Sequence, residues 1–231
     1  MVVSDMRSYG DPCGVARALD VIGERWAVLV VRNLLLGPKR FNDLLGGLPG
    51  VSPNVLSQRL RELVEHGVVQ RRELEPPARV RLYELTEWGH ALEPILLELG
   101  RWGSQAPISP DGALGVDSLL LSVKAAFDST RAAERRGIYE LRIDADTYTV
   151  EVADAAVRIS HASAPAPPDA TLATDLDTLR AVCDHRTTID GAVRSGTLRL
   201  DGTEHSTQNL TSLLLAPFSP QPTAEPSRGS R

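Results

Sequence analysis

The chain has 231 residues, 42% apolar and 24% charged, which is ordinary for a globular protein and enough to bury one large or two small cores. No apolar run approaches the roughly 20 residues a bilayer-spanning helix needs, and the N-terminus lacks the apolar stretch of a secretory signal, so the expectation is a cytoplasmic protein with no membrane partner. The net charge of −5 argues at first against nucleic acid; the two cysteines, Cys13 and Cys183, form no CxxC or Cys/His cluster that would suggest zinc, and the reducing compartment expected argues against a structural disulfide.

The distribution of charge changes the first of these readings. Residues 1–106 hold 13 basic and 13 acidic residues, and residues 107–231 hold 12 basic and 17 acidic ones, so the whole excess of acid lies in the second half. Within residues 37–81, eight basic residues face five acidic ones. A local basic surplus is the footprint of a nucleic-acid contact whatever the total.

In chain order, Val15–Ile22 and Trp26–Leu36 read as helices, the second apolar nearly all round and therefore buried. Gly37-Pro38 ends it, and a short helix follows near Arg40–Leu45. Ser52-Pro53 supplies an N-cap and a proline at the first helical position, starting a helix that runs to Glu65. On that helix Leu56, Leu60, Leu63 and Val64 share one face, and Asn54, Gln58, Arg61 and Glu65 lie opposite, with Ser57 on the flank. Asn54, Ser57, Gln58 and Arg61 are the candidate base-reading residues, because amides and guanidinium groups make paired hydrogen bonds to adenine and guanine in the major groove.

Val68–Leu74 and Val80–Leu85 read as a hairpin carrying Arg71, Arg72, Arg79 and Arg81, suited to neutralising phosphates. Lys39, Arg40 and Ser52 are further candidate phosphate contacts. Arg59, on the flank of the apolar face, is either another or half of a local ion pair. Thr86 then caps a helix over Glu87–Trp102, kinked at Pro94. Its stripe of Trp88, Leu92, Ile95, Leu96, Leu99 and Trp102 exceeds what one small domain can cover and points to a second subunit. Helix, turn, polar-faced helix and basic hairpin in that order read as a winged helix-turn-helix over residues 13–103, binding double-stranded DNA.

A linker rich in Gly, Pro and Ser spans 104–116. Beyond it Val116–Phe127 reads as a helix, and Ile138–Asp144, Tyr148–Val152 and Val157–Ile159 alternate with a period of two, as an antiparallel meander does. Ala162–Asp169 is a loop, and Thr171–Ala173 a short strand. Asp175–Asp184 and Gly191–Gly196 read as helices, Thr197–Leu200 as a strand and Thr203–Leu215 as a closing helix. Residues 1–12 form an arm, 117–215 a second domain, and 216–231 a disordered tail. The fold class is α+β. His161, His185 and His205 sit beside polar neighbours, and no nucleophile pattern, phosphate loop or metal-ligand spacing occurs. The expectation is a protein that is no enzyme and needs neither cofactor nor metal.

The first half also resembles a known family. Leu19-Asp-Val-Ile-Gly-Glu-Arg-Trp26, Gly37-Pro-Lys-Arg-Phe-Asn-Asp-Leu44, Leu56-Ser-Gln-Arg-Leu-Arg-Glu-Leu63 and Tyr83-Glu-Leu-Thr-Glu-Trp-Gly89 are similar to the HxlR-type regulators. That resemblance implies a homodimer on a palindromic operator, with dimer contacts from the terminal helices. It also places Cys13 where some relatives carry a redox-sensing cysteine, with Arg17 one turn on as an aid to thiolate formation. Otherwise Cys13 is a small buried residue, as Cys183 is. The second half resembles the sterol-carrier type through Ala173–Leu179 and Ile189–Gly202. That implies an antiparallel sheet over a tunnel for a hydrophobic small molecule or lipid. Ligand-gated regulation leads. The alternatives are a redox regulator acting through Cys13 with a structural second domain, and a lipid carrier that binds no DNA.

Overall fold

The computed structural model describes residues 8–73, 80–106, 112 and 114–218. Its first half opens with α1 (Gly14–Ile22), α2 (Ala27–Leu34), α3 (Phe41–Gly46) and α4 (Pro53–Glu65). Local chemistry sets their ends. The Arg40 N–H donates to Asp43 Oδ2 at 3.0 Å at the start of α3, and the Val55 N–H donates to Ser52 Oγ at 3.4 Å at the start of α4. Gly67 at φ +74° turns the chain out of α4, a conformation that favours glycine. Val30, Val31 and Leu34 of α2 close on Leu44 of α3 and on Leu56, Leu60 and Leu63 of α4. Each such side chain contributes about 1.5–3 kcal/mol on burial.

The hairpin follows as β1 (Val69–Glu73) and β2 (Arg81–Leu85), paired antiparallel from Val69 against Leu85 to Glu73 against Arg81. Lys39 adds a third rung, exchanging two backbone hydrogen bonds with Tyr83 at 2.8 and 2.9 Å. The helix expected over 87–102 is two helices, α5 (Glu87–His90) and α6 (Glu93–Gly103). Pro94 lacks an N–H and its ring clashes with the carbonyl four residues back, that of His90, where α5 stops.

The second half begins with α7 (Val116–Ala125) and continues as a five-stranded sheet. Its strands are β3 (Gly137–Ile143), β4 (Asp146–Ala153), β5 (Ala156–Ser160), β6 (Ala170–Thr174) and β7 (Leu198–Gly202), in the order β5-β4-β3-β6-β7. The meander β3-β4-β5 is antiparallel as expected, but β6 lies parallel to β3, so the sheet is mostly rather than wholly antiparallel. Tyr139, Leu141 and Ile143 of β3, Tyr148, Val150 and Val152 of β4, and Leu172 of β6 are buried together with Leu120 of α7. Between β6 and β7 run α8 (Leu176–Cys183) and α9 (Ile189–Ser195), and α10 (Glu204–Leu215) closes the fold. Ala216–Phe218, the start of the segment expected to be disordered, form a 3-10 turn whose Phe218 carbonyl meets His185 Nε2 at 2.7 Å. The rest of that segment lies outside the described residues.

The two halves are joined by specific contacts. Lys39 Nζ lies 3.0 Å from Asp117 Oδ2, and both side chains are nearly buried. The His161 N–H donates to the Leu36 carbonyl at 2.6 Å, and Arg101 Nε donates to the Ala125 carbonyl at 2.8 Å. Lys124 pairs with Glu93. His161 is an interface residue, its ring tilted 33° against that of Tyr148 with centroids 4.9 Å apart.

Candidate nucleic-acid interface

Helix α4 packs its leucines inward and turns Asn54, Ser57, Gln58 and Arg61 to solvent. All four lie on its first nine residues, so the exposed polar face occupies about the first two and a half turns. Gln58 Nε2 donates to Glu62 Oε1 at 3.0 Å, an exposed contact that solvent can replace. Ser52 accepts from the backbone as the N-cap, and its O–H stays free to donate to a phosphate.

On the wing, Arg71 is exposed and its guanidinium lies 6.0 Å from the centre of the Tyr83 ring, a cation–π distance. Arg72 pairs with Glu84 at 3.1 Å and Arg81 with Glu73 at 2.7 Å. Exposed pairs of this kind contribute about 0–1 kcal/mol and open readily toward a phosphate. Arg79 lies outside the described residues. Arg40 is exposed at the start of α3.

Two expected phosphate contacts are placed elsewhere. Arg59 is 7% exposed and held between Glu62, one turn on, and Glu24, at 3.6 Å. Lys39 is 8% exposed and spent on Asp117. A charge withdrawn from water beside a carboxylate cannot reach a phosphate without losing that partner. The signal for Arg59 was Glu62 three residues on. For Lys39 no local signal existed, because Asp117 is 78 residues away.

The apolar stripe on α5 and α6 divides. Trp88, Ile95, Leu99 and Trp102 are exposed, Trp102 by 74%, whereas Leu92 and Leu96 pack against the core. Val15 and Leu19 of α1 are also exposed. Cys13 is exposed at the N-cap of α1, and the backbone N–H groups of Val15 and Ala16 hold its thiol below the usual range. That overturns its reading as a buried residue, and the lowering comes from these amides rather than from Arg17. Cys183 is buried, and desolvation, with Asp184 nearby, pushes its thiol up to about 11. Among the described residues no group of three or more His, Cys, Asp or Glu could hold a metal ion, and no helix is long and apolar enough to cross a membrane.

A polar-faced helix packed behind a basic two-stranded wing defines a winged-helix DNA-binding protein. Residues 21–109 match the family model described as HxlR-like helix-turn-helix. The uncharacterised HTH-type transcriptional regulator YvaP of Bacillus subtilis is 43% identical over 90 residues, 38% of this chain and 82% of that one. The HTH-type transcriptional regulator YodB of Bacillus subtilis is 38% identical over 89 residues, 38% of this chain and 79% of that one. A solved structure titled as the redox regulator HypR in its oxidised form is 35% identical, with a TM-score of 0.40, over 42% of this chain and all of that one. The chain belongs to the HxlR-like helix-turn-helix family, and it is a DNA-binding transcriptional regulator. Residues 112–221 match the model described as alkyl sulfatase C-terminal. Sequence resemblance points this half to the sterol-carrier type; the family model that matches it is the alkyl sulfatase one.

Proposed function

We propose that the protein acts as a homodimer on a palindromic operator, and that the second half makes operator affinity depend on an apolar or amphipathic small molecule. Asn54, Ser57, Gln58 and Arg61 read base edges, while Arg40, Ser52, Arg71, Arg72, Arg79 and Arg81 hold phosphates. The observation that carries this reading is the exposed amide and guanidinium face on the first nine residues of α4, a helix whose other face is buried. The exposed Trp88, Ile95, Leu99 and Trp102 support a second subunit against α5 and α6, since a group of large exposed apolar side chains on neighbouring helices marks an interaction surface. The contacts between the halves support the responsive part, because a change in the second half can reach the first only through them.

The test is a pair of gel-shift titrations on promoter DNA, comparing wild type with the Gln58→Ala, Arg61→Ala double variant. The double variant is expected to lose sequence preference and to keep weak, salt-sensitive nonspecific binding. Unchanged preference would remove α4 from base reading.

A second reading has its own observation, the exposed Cys13 thiol held low by two backbone amides. Thiolate is the reactive form, so a lowered thiol is the more readily oxidised one. Operator affinity should then change on oxidation with diamide and should no longer change in Cys13→Ser. An oxidant effect that survives the substitution rules this reading out.

A further inference from the structure

A cavity of about 1050 Å3 opens between the two halves of the molecule. Its walls are Val28 and Leu29 of α2, Leu96 and Leu97 of α6, and Leu121 and Ala125 of α7. That volume lies at the upper end of the range for small-molecule sites, and the lining is predominantly apolar, as such sites are. It is not the sheet interior, whose apolar face is filled by its own tyrosines, valines and leucines.

One charge on the wall lacks an acidic partner. Arg32 of α2 lines the cavity half-buried, and its Nε and Nη2 both donate to the neutral Asn33 Oδ1, at 3.0 and 2.9 Å. The nearest influential carboxylate, Asp117, is held by Lys39, and no carboxylate lies in ion-pair contact with Arg32 among the described residues. Among the described residues, Lys39, Asp117 and Arg32 together therefore carry one uncompensated positive charge in a partly desolvated place. The other guanidinium on the wall, Arg101, is already satisfied by the Ala125 carbonyl and Glu98. A half-buried guanidinium without a counter-ion is only partly hydrated, and an anion that enters beside it gains a charge-assisted, two-pronged hydrogen bond.

We infer that the cleft between the halves is a binding site for an amphipathic anion, with the apolar chain lying among the leucines of α2, α6 and α7 and the anionic head on Arg32. The site is placed to act on both DNA-related surfaces. Helix α6 presents Leu96 and Leu97 to the cavity and Ile95 and Trp102 to the outside, where a second subunit would lie. Helix α2 presents Arg32 to the cavity and packs Val30, Val31 and Leu34 into the core that supports α4. A ligand that shifts either helix changes the spacing of the recognition helices in a dimer. The inference deepens the responsive part of the proposed function and rests on it for its consequence, but not for its binding site.

The test uses decanoate and the uncharged 1-decanol as probes, titrated calorimetrically into the full chain. The variants are Arg32→Met, which removes the charge, and Ala125→Trp, which fills the cavity. Melting temperatures accompany each titration to show that the variants are folded. Wild type should bind decanoate saturably at one site per chain. Arg32→Met should bind it at least about tenfold more weakly, the loss expected of a charge-assisted contact. Decanol should bind wild type and Arg32→Met equally, and Ala125→Trp should bind neither probe. Equal decanoate affinity in wild type and folded Arg32→Met would overturn the inference, as would undiminished binding in Ala125→Trp or no saturable binding at all. A tenfold rise in decanoate affinity on deleting residues 219–231 would make the chain's own terminus the occupant and would equally overturn it. The same protein is then titrated with operator DNA with and without saturating decanoate. A changed operator affinity supports the effector role. If decanoate binds through Arg32 yet leaves operator affinity unchanged, the site stands and the ligand-responsive reading falls.

Discussion

Arg59 and Arg61 stand two residues apart on α4 and serve different ends. Two residues on a helix are about 200° apart, so one faces the protein and the other the solvent. Arg59 is held by Glu24 and Glu62 between α1 and α4, whereas Arg61 makes no ion pair among the described residues. Arg59→Ala should therefore lower stability, by about 1–3 kcal/mol in urea unfolding, since it removes the buried stem contacts and the ion pair with Glu62. Arg61→Ala should leave stability within about 0.5 kcal/mol, as surface substitutions do. Which arginine turned outward was legible from helical periodicity, but that Arg59 was spent on Glu24 was not, because that contact spans 35 positions.

Helix α4 was readable to its last residue because its ends are local chemistry: Ser52-Pro53 at one side, His66-Gly67 at the other. The break between α5 and α6 was only half readable. Pro94 announced an interruption, but whether the chain bends or stops depends on what surrounds it. Gly89 shows how closely α5 is seated: a Cβ there would lie 2.1 Å from the Val68 carbonyl oxygen and 3.2 Å from Leu85 carbon atoms. The helix is pressed against the hairpin more closely than any side chain allows. Gly89→Ala should destabilise by about 1–3 kcal/mol, the usual cost of overpacking, and should loosen the wing, read as faster amide exchange at Val69 and Leu85. The parallel pairing of β6 with β3 was not readable at all. From β5 the chain must cross two strands to reach the far side of β3, about 14 Å at the usual strand spacing. Residues 161–169 can span that, fastened by Thr149 Oγ1 to the Ala162 carbonyl at 2.8 Å and by the Ala164 N–H to Glu140 Oε2 at 3.3 Å. Nothing in a nine-residue loop says which edge of the sheet it returns to.

Across the whole molecule, the acid of the second half leaves the DNA-facing surface of the first half basic, so a chain of net charge −5 is compatible with a polyanionic partner. The joint between the halves assigns Lys39 to structure. If Lys39 touched a phosphate, Lys39→Met would reduce the log–log salt slope of operator binding by about 0.9. Because it is buried on Asp117, the slope should stay unchanged while the melting temperature falls. The central claim is that a symmetric pair of these chains reads DNA through the outward face of α4. Selection of bound duplexes from a random-sequence pool by the full chain tests it most directly. The account predicts enriched palindromes with half-sites spaced by about one helical turn or a multiple of it, 10–10.5 base pairs centre to centre, and no enrichment by the Gln58→Ala, Arg61→Ala variant. Enrichment of non-palindromic sites, or the same palindrome recovered by that variant, would contradict it.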